Sequence, residues 1–168
     1  MPHATTLLVA SYGVAAVASL FLSVIDARTL RLPNRLVLFF TALTVVCFAA
    51  AAWQSETWDA LIRATTAAVT LFLACTLLVL IRPNQLGGGD VKLSFLIGFV
   101  LGWHGWAELF IGVLLQAILL IGVVAVFSYR QNQRSLQHIP LAPIAFASMW
   151  LAIGTVPAFT AFAVTFGS

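Results

Sequence analysis

Long apolar runs separated by short polar connections dominate this chain. A helix that crosses a bilayer needs about 20 mostly apolar residues. Six runs are candidates, at residues 6–25, 36–53, 60–81, 91–103, 106–129 and 141–166. The fourth run is short, so we expect it either to be buried by its neighbours or to begin within the preceding loop. The pattern predicts an all-α polytopic membrane helix bundle of about six transmembrane helices.

The scarcity of charge supports this prediction. Of the 168 residues, 62% are hydrophobic and 8% are charged, whereas about a quarter of a soluble domain is charged. This composition excludes a soluble globular enzyme, a disordered tail and a DNA-binding module, so no nucleic-acid partner is expected. The first run lacks a preceding Lys or Arg, which a secretory signal would carry. We expect residues 1–168 to form one membrane-embedded domain, without a separate soluble domain.

The basic residues predict the orientation of the bundle. Seven of the eight lie in or beside the connections between runs one and two, three and four, and five and six, namely Arg28, Arg31, Arg35, Arg82, Lys92, Arg130 and Arg134. The side of a membrane protein that is rich in Lys and Arg is normally cytoplasmic. Both termini are then predicted to lie outside. Trp53, Trp58, Trp103 and Trp106 fall at the outer connections, as interfacial tryptophans do.

Two of the five acidic residues stand out because they adjoin predicted spans on the cytoplasmic side. They are Asp26 and Asp90, while Glu56, Asp59 and Glu108 belong to the outer connections. Acids close to the hydrocarbon are costly and suggest a functional site. Each also has a simpler interpretation, since Asp90 could be a helix N-cap and Asp26 could pair with Arg28 or Arg31. Together the two acids favour a paired-carboxylate site.

The segments next to these acids suit a site that approaches a ligand closely. Gly87, Gly88 and Gly89 precede Asp90, and glycine allows positive φ angles and close backbone contact. No Gly-Lys-Ser/Thr follows, so a phosphate-binding loop is excluded. Pro33 and Asn34 end the first connection, and Asn34 is a candidate N-cap for the second helix.

Two segments carry a resemblance to a known family, the type IV prepilin peptidases, which are membrane-embedded aspartic proteases. Asp26 is followed seven residues later by Pro33-Asn34, and the segment from Gly87 to Lys92 reads Gly-Gly-Gly-Asp-Val-Lys. These resemble the family's Asp…Pro-Asn segment and its Gly-x-Gly-Asp-x-Lys segment. A weaker similarity is the sequence Ile-Pro-Leu-Ala-Pro at residues 139–143, which is similar to the opening of the family's last helix.

The resemblance implies an activity and a set of site residues. Asp26 and Asp90 would be the catalytic pair that activates water, and Gly87, Gly88, Gly89, Lys92, Pro33 and Asn34 would bind substrate or shape the site. The implied substrate is a prepilin-like protein, cleaved at the cytoplasmic membrane face between a short basic leader and an apolar helix. No cofactor or metal is expected. The basic residues near the site are expected to contact membrane lipids or modulate the acids.

The residues leave alternatives open. Long members of the family carry an N-terminal cytoplasmic segment with cysteine pairs, which is associated with N-methylation. Here the first apolar run begins at residue 6, and Cys47 and Cys75 both lie inside apolar runs. We therefore expect no methyltransferase domain, and the chain resembles the short, peptidase-only form similar to those serving Tad/Flp-type pili or archaeal flagellins. A small proton-coupled transporter could use the two acids as a relay. A non-enzymatic scaffold of a pilus or secretion assembly would not need them.

Overall fold

The computed structural model of the chain is built from α-helices and describes residues 2–29, 32–81, 88–130 and 141–166. In chain order the helices are α1 (Pro2–Thr29), α2 (Asn34–Ser55), α3 (Trp58–Ile81), α4 (Gly88–His104), α5 (Trp106–Arg130) and α6 (Leu141–Phe166). Each of the six apolar runs lies within one of these helices. The prediction of an all-α membrane helix bundle is confirmed.

The helices differ in how well they could cross a membrane alone. Within the described residues, four are long and apolar enough to do so, namely the helical segments Thr5–Thr29, Asn34–Ser55, Trp58–Ile81 and Trp106–Val126. A shorter apolar helical segment, Leu141–Thr155, forms the first part of α6. Helix α4 has 17 residues. The large apolar side chains on the outside of the bundle, such as Leu20, Leu80 and Phe110, are therefore suited to lipid.

Helix α4 forms the centre of the bundle and packs against α2, α3, α5 and α6. An almost unbroken run of its residues, from Leu93 to Trp103, is buried except for Phe95, which is half-buried. The short fourth run is thus buried by its neighbours, and its helix begins at Gly88, three residues before the run, so both sequence interpretations are confirmed. A buried helix does not need to match the bilayer thickness on its own, because its neighbours replace the lipid.

Close packing of α4 on α3 depends on two glycines four residues apart. A Cβ atom on Gly98 would lie 2.9 Å from the Cα atom of Ala68, and one on Gly102 would lie 3.1 Å from the Cα atom of Ala64. Glycine and alanine at such positions let helix backbones approach closely, which is how helices associate in lipid. The spacing of Gly98 and Gly102 is a sequence signal for this contact.

Arg63 caps the C-terminus of α4. It is the eighth basic residue, the one that does not lie on the predicted cytoplasmic side. Its Nε atom donates to the carbonyl oxygen of Gly102 at 2.9 Å, and its Nη2 atom donates to those of Trp103 at 2.7 Å and His104 at 3.3 Å. The last carbonyl groups of a helix lack partners within the helix and carry partial negative charge. The guanidinium therefore satisfies the C-terminus of α4 and ties it to α3.

The tryptophans only partly follow the sequence prediction. Trp53 and Trp58 are exposed and their rings contact each other at 5.6 Å between centroids, and Trp106 is also exposed. Trp103 instead is 8% exposed and its ring packs against Phe48 at 4.9 Å. Its assignment to the interfacial group was wrong, because α4 lies at the bundle centre and its side chains face other helices.

Candidate functional site

Asp26 is a buried carboxylate in the last turn of α1. The residue is 5% exposed, and its Oδ2 atom accepts a hydrogen bond of 2.8 Å from the backbone N–H of Ala142, the second residue of α6. Arg28, one of the two proposed ion-pair partners, is exposed to solvent, and the other, Arg31, lies outside the described residues. A buried charge needs a hydrogen-bonding partner, and for Asp26 that partner is the N-terminus of α6 rather than Arg28.

Asp90 lies in the first turn of α4 and is half-buried. It is the third residue of the helix, which begins at Gly88. The simpler interpretation of Asp90 as the N-cap is therefore wrong, because the helix starts two residues earlier. Gly87 lies outside the described residues.

Gly89 is in close contact with the connection that follows α1. A Cβ atom on Gly89 would lie 2.8 Å from the Cβ atom of Leu32 and 3.2 Å from its carbonyl oxygen. Real Cβ atoms essentially never approach another atom so closely, so the glycine is required by the position of Leu32. This contact joins the residue before Asp90 to a residue six positions after Asp26.

The other predicted site residues lie at the same end of the bundle. Pro33 is the N-cap of α2, with φ −64° and ψ 119°, and its carbonyl oxygen accepts the N–H groups of Leu36 at 3.0 Å and Val37 at 3.2 Å. Asn34 is the first helical residue, so the prediction of Asn34 as N-cap was wrong. A proline fits at this boundary because its fixed φ suits the start of a helix. Lys92 is exposed, two residues after Asp90.

Contacts between helices bring these residues to one end of the bundle. Helices α2 and α6 each pack against both α1 and α4. The last turn of α1 reaches α6 through Asp26 and Ala142, and the connection after α1 reaches the first turn of α4 through Leu32 and Gly89. The two acids thus sit beside contacts that link α1, α4 and α6. Carboxyl groups can exchange protons with water and a substrate where they lie within hydrogen-bond reach of both.

Two contacts between α1 and α6 were not foreseen from the sequence. The first is the hydrogen bond from the Ala142 N–H to Asp26. Pro143 directly after Ala142 was a sequence signal for it, because proline has no N–H and leaves few donors at the start of α6. A second is the hydrogen bond from Trp150 Nε1 to Ser19 Oγ at 3.3 Å, which assigns a role to a tryptophan that lies away from the outer connections. Both contacts join residues more than 100 positions apart.

A different titratable group lies at the opposite end of α4. The ring of His104 contacts that of Tyr12 at 5.2 Å between centroids, and its buried Nε2 atom lacks a hydrogen-bond partner among the described residues. Burial lowers the pKa of the His104 imidazole below its ordinary value, an effect that Glu108 opposes and Arg63 reinforces. Burial disfavours the charged form of histidine. Within the part of the chain that the structure describes, no three His, Cys, Asp or Glu residues form a group that could hold a metal ion.

Comparisons with known proteins point to one family. Residues 13–126 match the type IV leader peptidase family. The chain is also 34% identical over 134 residues to the prepilin leader peptidase/N-methyltransferase of Bacillus subtilis (strain 168), an alignment that covers 79% of this chain and 50% of that protein. The chain therefore spans about half the length of this relative. No solved structure gives a significant match.

Proposed function

Because the chain belongs to the type IV leader peptidase family, we propose that it is an aspartic endopeptidase that removes the leader from prepilin-like substrates. Asp26 and Asp90 are the proposed catalytic pair, and Gly87, Gly88, Gly89, Lys92, Pro33 and Asn34 are proposed to shape the site or contact the substrate. The observation that carries the proposal is the burial of Asp26, 5% exposed, in the last turn of a membrane helix. An acid in this setting is costly and calls for a function.

The chemistry requires two carboxyl groups in different protonation states. The ionised carboxylate takes a proton from water, and the water oxygen attacks the scissile carbonyl carbon while the neutral carboxyl group donates its proton to the carbonyl oxygen. The tetrahedral intermediate then collapses, the C–N bond breaks and the leaving nitrogen takes up a proton. One water molecule is consumed for each peptide bond.

The membrane setting supports the proposed substrate and orientation. Because the aspartates lie at a helix end, the peptide bond to be cut would lie next to an apolar segment held in the bilayer, as at the junction of a leader and a pilin helix. The excess of Lys and Arg in the connections at this end supports a cytoplasmic active site in the cytoplasmic membrane of a bacterium or archaeon. Exposed Lys92 is a proposed contact for lipid headgroups.

The proposal can be tested with purified protein in detergent and a prepilin-like peptide that contains a basic leader and the start of an apolar helix. Asp26→Asn and Asp90→Asn are each expected to reduce cleavage by more than about 100-fold, the low end of general acid–base contributions. Asp59→Asn is the matched control, because Asp59 is an exposed acid at the start of α3, at the other end of the bundle.

Three results would contradict the proposal. Wild-type cleavage by either folded aspartate variant would exclude a catalytic pair. Retained pilus or secretion function in cells that carry both variants would favour the scaffold instead. A proton-coupled transporter would be indicated if the aspartate variants abolished proton uptake into vesicles while the wild type cleaved no peptide.

A further inference from the structure

The interface between α1 and α6 contains two buried or partly buried hydrogen bonds. Asp26 Oδ2 accepts from Ala142 N–H at 2.8 Å, and Ser19 Oγ accepts from Trp150 Nε1 at 3.3 Å. The two α1 residues are seven positions apart and the two α6 residues are eight apart, which is about two helical turns in each case. The pair of contacts therefore fixes the register between the helices over two turns and holds the start of α6 against Asp26.

The sequence at the start of α6 makes Ala142 a well-defined donor. The first N–H groups of a helix have no partners within it and point out of its N-terminus. Pro140 and Pro143 have no N–H, so between these prolines only Leu141 and Ala142 offer donors. The side chain of Ala142 is fully buried, which leaves water little access to its N–H and favours donation to the Asp26 carboxylate.

We propose that the backbone N–H of Ala142 is a positioning group for catalysis, which fixes the orientation of the Asp26 carboxylate. This inference rests on the proposed function, in which Asp26 is one of the catalytic pair. With Oδ2 held by the N–H, rotation of the carboxylate about χ2 is restricted, and the direction of Oδ1 toward water and substrate is determined. Catalytic groups need their geometry fixed within a fraction of an ångström.

A backbone N–H suits this role chemically better than a charged side chain. It donates a hydrogen bond and, at a helix N-terminus, contributes partial positive charge. Its proton is too weakly acidic to be released in the reaction, so the N–H does not enter the proton exchange between the two acids and the water molecule. An arginine or histidine in the same place would add a full charge or another titrating group beside the pair.

The direct test removes this N–H and keeps the side chain of Ala142. Lactic acid incorporated in place of Ala142 keeps the methyl group and replaces the N–H by an ester oxygen. We expect kcat for leader cleavage to fall between about tenfold and 100-fold, as for a misaligned reacting group, with KM changed less than about twofold. The matched control is lactic acid in place of Ala147, an exposed position in the same helix, where kcat should stay within about twofold.

A second measurement tests whether the Ala142 N–H acts through Asp26. In an Asp26→Ala background there is no carboxylate for the Ala142 N–H to bind. The ester should therefore lower the melting temperature less in this background than in the wild-type background. A pair of ordinary substitutions guards against failure of the ester protein to fold. Ala142→Pro removes the N–H, whereas Leu141→Pro places a proline one position earlier and keeps it, so only Ala142→Pro should lose kcat.

The outcomes separate this inference from the proposed function. Wild-type kcat in the Ala142 ester protein overturns the inference, and the proposed function still stands if Asp26→Asn is inactive. Equal loss of kcat from the Ala142 and Ala147 esters also overturns it, because the effect would then belong to the helix as a whole. An active Asp26→Asn variant overturns the proposed function first.

Discussion

Replacing Arg63 with glutamine removes the guanidinium that caps α4 at its outer end. The wild-type side chain donates two short hydrogen bonds, at 2.9 Å to Gly102 and 2.7 Å to Trp103, and a longer one of 3.3 Å to His104. A hydrogen bond from a charged group contributes about 1.5 kcal/mol at the low end of its range. The two short bonds together are therefore worth about 3 kcal/mol, and the long bond adds little.

This loss should be visible as a lower melting temperature. For a chain of 150–250 residues, 1 kcal/mol corresponds to about 2–4 °C, so Arg63→Gln is expected to melt about 6–12 °C below the wild type in the same detergent. Arg63→Lys should lose about half as much, because an ammonium keeps the charge near the helix C-terminus and lacks the planar fork. Unfolding can be followed by the loss of the helical circular dichroism signal.

The control for this prediction is Arg35→Gln, since Arg35 is an exposed arginine near the start of α2. Substitutions at exposed positions usually change stability by less than about 0.5 kcal/mol. Below its melting temperature, Arg63→Gln should cleave substrate at the wild-type rate, because the aspartates lie at the other end of α4. A melting temperature within 2 °C of the wild type, or an equal fall in Arg35→Gln, would refute the capping argument, as the predicted shift is at least about 6 °C.

Two further predictions concern the ends of α4. Gly89→Ala should reduce leader cleavage about tenfold or more, because the added Cβ atom would displace Leu32. The control is Gly13→Ala, where a Cβ atom meets nothing within 4 Å and cleavage should be normal. Equal cleavage rates in the two variants would contradict the role of the Gly89–Leu32 contact. Burial lowers the pKa of His104 in the folded protein, so just below pH 6.5 the unfolded chain binds more protons than the folded chain does. The free energy of unfolding should therefore fall as the pH drops through this range. His104→Gln should lose less stability than the wild type between pH 7.5 and 5, and identical losses would show that His104 is not the group responsible.

Much of the fold follows from local pattern. Each apolar run lies in a helix because a backbone in lipid must satisfy its own hydrogen bonds, and a helix does this within one segment. Helix α2 begins one residue earlier, and α4 three residues earlier, than N-caps at Asn34 and Asp90 would give. These deviations arise because several neighbouring residues can end or begin a helix at similar cost.

The candidate site could be located from sequence only as far as its two acids. Asp26 and Asp90 were identifiable because charge is rare in this chain and each adjoins an apolar run. Their catalytic roles, and the orientation of the bundle across the membrane, stay predictions. Membership of the leader peptidase family, which the two sequence segments suggested, is confirmed by the family match.

The sequence alone determined that this chain forms membrane helices and which acids are exceptional, because hydropathy and charge are properties of single segments and require no knowledge of neighbours. The tertiary structure decided that α4 is the central helix, that Arg63 caps it, and that the Ala142 N–H holds Asp26. Such contacts join residues up to 116 positions apart. They depend on how helices pack, and packing is set by the combined shapes of several helices rather than by the composition of any one.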